Sequence, residues 1–208
     1  MIRRSVIILL FVTAALTVRG GGLDFTPKAT EFVGEGIKYQ KLTFRKNKQL
    51  VEYYPPPGWT FLGSAERIQL RPPKKIFAEA VIEAAPLVVP QTLDEKAIKS
   101  LEQRFVSSLP SGSQFVTVVN EEQNPVLLNG NPTFEVTASY QLMGEKFLTS
   151  ALFSNLTDTH LIFRLSARKD DFQALHFEFR RSISSWHLTE PDQPPTEVAE
   201  TAEQPPAR

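Results

Sequence analysis

The side chains of this sequence whose types suit catalysis or metal binding are its three histidines and a few adjacent acids. The histidines are His160, His176 and His187. On one helix, His176 and His187 would project from similar faces but stand about 16 Å apart at the helical rise. A shared metal needs ligand bonds of about 2 Å, so both read as core or surface histidines, as does His160, which opens a strand beside Asp158. Asp170 and Asp171 precede an apolar stripe at helical spacing, where carboxylates cap a helix and offset its dipole. Glu121 and Glu122 fall in a polar loop, and Gly112-Ser113 belongs to the turn after Pro110. Asp158 and its neighbours lack the oxygen density of a calcium loop. Nucleophile-elbow, zincin, P-loop and dinucleotide-binding patterns do not occur. The expectation is a non-enzyme with no catalytic residue, no metal and no cofactor.

Binding is the chemistry left to consider. Glu52 to Phe61 reads EYYPPPGWTF. Three prolines make about one turn of polyproline II, the form read by SH3-type grooves. This run lies between two apparent strands, where proline ends pairing and glycine permits unusual backbone angles. It therefore reads as a stiff corner that turns Trp59 into the core, with Phe61 on the same face. The alternative is that Tyr53 or Tyr54, with Trp59, lines a surface groove. Tyr53, Tyr54 and Trp59 are thus the candidate binding residues.

Two further surface features have bland and functional readings. Lys38, Lys41, Arg45, Lys46, Lys48, Arg67, Arg71, Lys74 and Lys75 form a basic stretch. It is a solvated strand face or a weak docking surface for an anionic headgroup or acidic partner. Asn155-Leu156-Thr157 fits the glycosylation acceptor pattern in a turn.

Composition narrows the partners. Formal net charge over 208 residues is zero, and the body between the termini is nearly neutral. No basic field exists to neutralise phosphates, so nucleic acid is not an expected partner. Cysteine is absent, which removes thiol nucleophiles, thiolate metal sites, disulfides and a lipidated cysteine together. Stability must come from apolar burial.

The elements follow from periodicity. MIRRS, an apolar run VIILLFVTAALTV and RGGGLD have the layout of a secretory signal peptide over residues 1–22. The run is too short to span a bilayer comfortably, with an uncleaved anchor as the alternative. At the other end, 189–208 is acidic and proline-rich and reads as a disordered tail. Residues 23–188 between them read as a single domain. Strands are expected at Gly36–Arg45, Leu50–Tyr54, Trp59–Leu62, Ile68–Leu70, Ile76–Ala84, Phe115–Val119, Val126–Leu128, Thr133–Leu142, Phe147–Phe153 and His160–Ala167. Thr92 and Glu95 have capping-box spacing ahead of a helix carrying Ile98, Leu101, Phe105 and Leu109 on one face. Asp170 is placed to cap a second helix with the stripe Phe172, Leu175, Phe179, Ile183 and Trp186. The fold class is α+β: a largely antiparallel sheet with two main amphipathic helices packed on it.

YYPPPGW after the early strands, a helix ahead of an antiparallel run, and the ending HLIFRLSARKDDFQALHFEFRRSISSWHL together resemble the PsbP/Mog-type α/β/α sandwich. The resemblance covers Ile37 to Leu188 and rests on structural residues. It implies the fold and a non-catalytic binding or assembly role, and no functional residue of the family transfers. The chain is thus expected to be an exported accessory or binding protein of the cell envelope, periplasmic or extracellular and monomeric, with an unknown protein or small-molecule partner. Membrane contact is expected only through the signal peptide. Two alternatives remain: an envelope enzyme working through dispersed carboxylates, and a tethered structural protein held by an uncleaved N-terminus.

Overall fold

The computed structural model describes residues 22–87 and 91–189. The expected leader and tail lie outside these residues except for Gly22 and Thr189. Eleven strands and two helices follow one another as β1 (Leu23–Gly34), β2 (Ile37–Lys46), β3 (Gln49–Tyr53), β4 (Thr60–Gly63), β5 (Arg67–Arg71), β6 (Glu79–Pro86), α1 (Glu95–Ser107), β7 (Gln114–Gln123), β8 (Thr133–Leu142), β9 (Glu145–Asn155), β10 (Thr159–Arg168), α2 (Lys169–Ile183) and β11 (His187–Thr189). They form a four-stranded sheet, β1-β2-β3-β11, and a seven-stranded sheet, β4-β5-β6-β10-β9-β8-β7. Every pairing is antiparallel.

The seven-stranded sheet carries a helix on each face, and period-two alternation decides which residue meets which helix. Leu161, Phe163 and Leu165 of β10 join Phe172, Leu175 and Phe179 of α2 in one buried cluster. Ile162, between them in sequence, packs instead with Leu101 and Phe105 of α1 and with Phe134, Val136 and Ala138 of β8. The same first cluster takes in Phe25, Leu42, Phe44, Val51 and Tyr53 of the smaller sheet. Trp186 joins the two sheets, its ring lying 5.8 Å from Phe44 and 5.3 Å from Phe163.

Several local expectations are corrected. The N-cap of α1 is Asp94, whose carboxylate accepts from the Ala97 amide at 2.8 Å, and not Thr92. Asp and Thr compete for the same cap geometry, and Asp94 stands directly before the first helical residue. Arg168, not Asp170, occupies the N-cap of α2 and makes no side-chain cap bond; Asp170 and Asp171 lie within the first turn. Glu121 and Glu122 belong to β7, which is twice as long as expected because its edge position leaves polar residues solvated on both faces. Val126–Leu128 is not a strand; Leu128 only bridges Asn131. β6 begins at Glu79, and Ile76 and Phe77 are exposed in the preceding turn. His187 lies in β11 rather than on the helix with His176. The sequence pattern also missed β1, whose alternation is broken by a register shift between Asp24 and Lys28 around Pro27.

Candidate functional site

The EYYPPPGWTF stretch is a corner. Trp59 donates its amide to the Pro56 carbonyl at 3.2 Å across Pro57 and Gly58, and Gly58 has φ +79°. Proline second and a positive-φ glycine third are the demands of a type II turn. The chain leaves β3 at Tyr53, turns, and enters β4 at Thr60, in the other sheet. Alternation through the corner sends Tyr53 inward and Tyr54 outward.

The three candidate aromatics therefore separate. Tyr53 is buried, and its hydroxyl lies 2.8 Å from the Ser182 hydroxyl. Ser182 donates its own proton to the Phe179 carbonyl, so the phenol is the donor of that pair. Burial pushes the Tyr53 pKa well up, and the Ser182 contact offsets this only in part. Trp59 is buried as well, stacked on Phe179 with an interplanar angle of 9°, and its indole donates to Glu178 Oε2 at 3.1 Å. Both rings belong to the core. Tyr54 alone reaches the surface side, held by its amide's bond to Ser185 Oγ at 2.8 Å.

Tyr54 lines a groove of about 390 Å³ between β2, the corner and α2, with Ile37, Tyr39, Pro55, Phe177 and Arg181 among its walls. Its aromatic surface continues onto β1, where Phe32 stacks on Tyr39 at 5.4 Å and meets Tyr54 edge-on at 6.1 Å. Phe177 is 67% exposed, Ile37 46% and Phe32 45%. Large apolar side chains gathered at one surface patch are a mark of interaction sites, whereas scattered ones need no explanation. Phe177 was the readable signal: it falls outside the buried stripe of α2 yet is aromatic. Phe32 could not be found because β1 itself was not legible.

The other expected features are accounted for by structural partners. His176 Nε2 lies 2.7 Å from the buried carboxylate of Glu135, and Arg180 approaches its second oxygen at 3.5 Å. Arg180 also bonds Glu122 at 2.8 Å, a hydrogen bond that takes the Glu122 pKa below the usual carboxylate range. His187 faces Glu52 at 3.4 Å. Much of the basic stretch is paired: Lys41 with Glu52, Lys46 with Asp158, Arg71 with Glu79 and Lys75 with Asp171. Asp171 thus serves as a partner for Lys75. Among the described residues no three His, Asp or Glu side chains gather as metal ligands, and no helix is long and apolar enough to cross a membrane.

Comparison with solved structures decides the fold. The solution structure of cyanobacterial PsbP (CyanoP) from Synechocystis sp. PCC 6803 matches over 86% of this chain and 99% of that one, at a TM-score of 0.52 and 14% identity. The fold is PsbP-like. The crystal structure of LpqN, involved in cell envelope biogenesis of Mycobacterium tuberculosis, matches over 79% of this chain and 92% of that one, at a TM-score of 0.48 and 13% identity. No protein-family model matches the chain, and no curated protein sequence does. The PsbP-like fold accounts for the sandwich; the corner and the groove residues are features of this chain.

Proposed function

We propose that this PsbP-like chain is an exported, non-catalytic accessory or binding protein of the cell envelope that holds a protein partner in the groove at Tyr54. The single observation that carries the reading is the apolar surface around that groove, where exposed Phe32, Ile37 and Phe177 adjoin half-buried Tyr39 and Tyr54. Its rigid Tyr and Pro walls lose little entropy on binding and offer large apolar area, which suits anchoring a partner's apolar side chain. Arg181 at the rim, exposed and without an ion pair among the described residues, favours an acidic group on that partner beside the anchor. Export rests on the charged, apolar and small-residue succession of 1–22.

A photo-crosslinking residue at position 177, in the chain expressed in its own cells, tests the reading. The expected result is a discrete adduct that is lost with Tyr54→Asp and absent when the crosslinker replaces Gln103 on α1. No adduct, or the same adduct from position 103, overturns the groove. N-terminal sequencing of the exported material tests the leader: a start near Gly20–Gly22 is expected, and intact Met1 on membrane-bound protein favours the tethered alternative.

A further inference from the structure

A second cavity, of about 360 Å³, lies between α1 and the ends of β6 and β10. α1 packs on the sheet face opposite α2, so this cavity is separate from the Tyr54 groove. Its walls combine Leu87, Leu93 and Leu101 with Ser100, Arg104 and His160, and among the described residues no acidic one lines it. Arg104 is exposed and has no carboxylate within 4 Å among the described residues.

The hydrogen bonds fix how His160 presents itself. Asn155 Nδ2 donates to the Gln91 carbonyl at 2.9 Å, which turns its amide oxygen toward His160 Nδ1 at 2.6 Å. An amide oxygen only accepts, so Nδ1 carries the proton of the neutral ring. Nε2 is left with its lone pair and, among the described residues, no protein donor. Phe153 stacks on the ring at 5.8 Å and holds its plane. Burial, aided by the charge of Arg104, depresses the His160 pKa to about 4, so the ring is neutral near pH 7. The cavity therefore offers a neutral acceptor beside an unpaired guanidinium.

We propose that this cavity binds a small hydroxy acid, whose carboxylate is gripped by Arg104 and whose hydroxyl donates to His160 Nε2. A guanidinium pairs with a carboxylate through charge-assisted, often bidentate bonds. A hydroxyl suits Nε2 better than an ammonium does, because a second cation beside Arg104 is repelled. The volume is at the low end of ligand sites, which limits the ligand to roughly the size of one sugar acid.

Titration of the full chain with gluconate, sorbitol and hexanoate, followed by the ring nitrogen signals of His160, separates the two contacts. Gluconate is expected to bind saturably and to shift the His160 Nε2 signal. Sorbitol lacks the carboxylate and hexanoate the hydroxyls, so each is expected to bind at least tenfold more weakly, about 1.4 kcal/mol. Arg104→Gln is expected to weaken gluconate by the same factor, His160→Phe to weaken it while keeping the ring stack, and Phe177→Ser to leave it unchanged. Absence of saturable binding, equal binding of sorbitol or hexanoate, full affinity in Arg104→Gln, or an unprotonated Nδ1 in the free chain each overturns the proposal.

Discussion

Trp59 Nε1 donates to Glu178 Oε2 at 3.1 Å, and this bond fastens the proline corner to α2 across 119 residues of chain. The indole lies flat on Phe179, one residue further along the helix. A corner stiffened by prolines is thereby fixed to the helix that forms the opposite wall of the groove, so the groove is preformed.

Removing that fastening should cost stability in two separable parts. Trp59→Ala opens a cavity in the main cluster and is expected to cost about 3–5 kcal/mol. Glu178→Ala, which leaves the buried ring in place, is expected to cost about 1 kcal/mol through the lost hydrogen bond. Urea unfolding of the two variants measures both, and equal losses would contradict the division.

Groove residues should behave oppositely. Phe177 is mostly exposed, so Phe177→Ser is expected to change stability by no more than about 0.5 kcal/mol. With the crosslinker moved to position 37, the same substitution should remove the partner adduct formed at the groove. A large stability loss would instead make Phe177 a structural residue.

Buried and exposed ion pairs should differ sharply. The Glu135 side chain is 3% exposed and meets both His176 and Arg180. Glu135→Ala takes the buried partner from His176 and from Arg180, which keeps Glu122, and is expected to cost about 1–3 kcal/mol. Arg71→Ala, which breaks the open pair with Glu79, is expected to cost no more than about 1 kcal/mol. Thermal unfolding of the two variants orders them.

His160 makes stability depend on pH in a stated direction. Its folded pKa, about 4, lies below the value of 6.5 for an unperturbed histidine. Between those values the unfolded chain binds the proton and the folded chain does not, so this contribution is complete above pH 6.5 and declines as pH falls toward 4. His160→Phe should flatten the melting temperature across that window. An unchanged slope would remove His160 as its source.

The acceptor pattern at Asn155 should stay unmodified. Its amide nitrogen is engaged by Gln91 and its oxygen by His160, while Leu156 beside it is buried. Mass spectrometry of the chain secreted from a glycosylating host is expected to show residue 155 unglycosylated.

Much of this fold was legible where one pattern ruled. Thr133–Leu142 alternates without a break and is β8 to the residue. The stripe Phe172, Leu175, Phe179, Ile183 and Trp186 is buried throughout, although α2 ends at Ile183 and Trp186 completes the stripe from the following turn. The polar face of β8 was misleading in one respect: Glu135 and Thr137 are buried, and His176 and Arg180 of α2 supply Glu135 with polar partners. β1 escaped detection because a register shift resets its phase, and a period cannot be read across a phase break.

The sequence by itself determined the antiparallel α+β character, the two amphipathic helices, the corner at Pro55–Gly58 and the absence of cysteine chemistry. These are local properties, set by side-chain period and by the backbone limits of proline and glycine. Tertiary structure alone decided that Tyr53 and Trp59 lie in the core while Tyr54 meets Phe32 and Phe177 at the surface. It alone decided that Asn155 locks His160 beside Arg104. Those juxtapositions join residues from distant strands and helices, and their distances are fixed by packing, which no local period encodes.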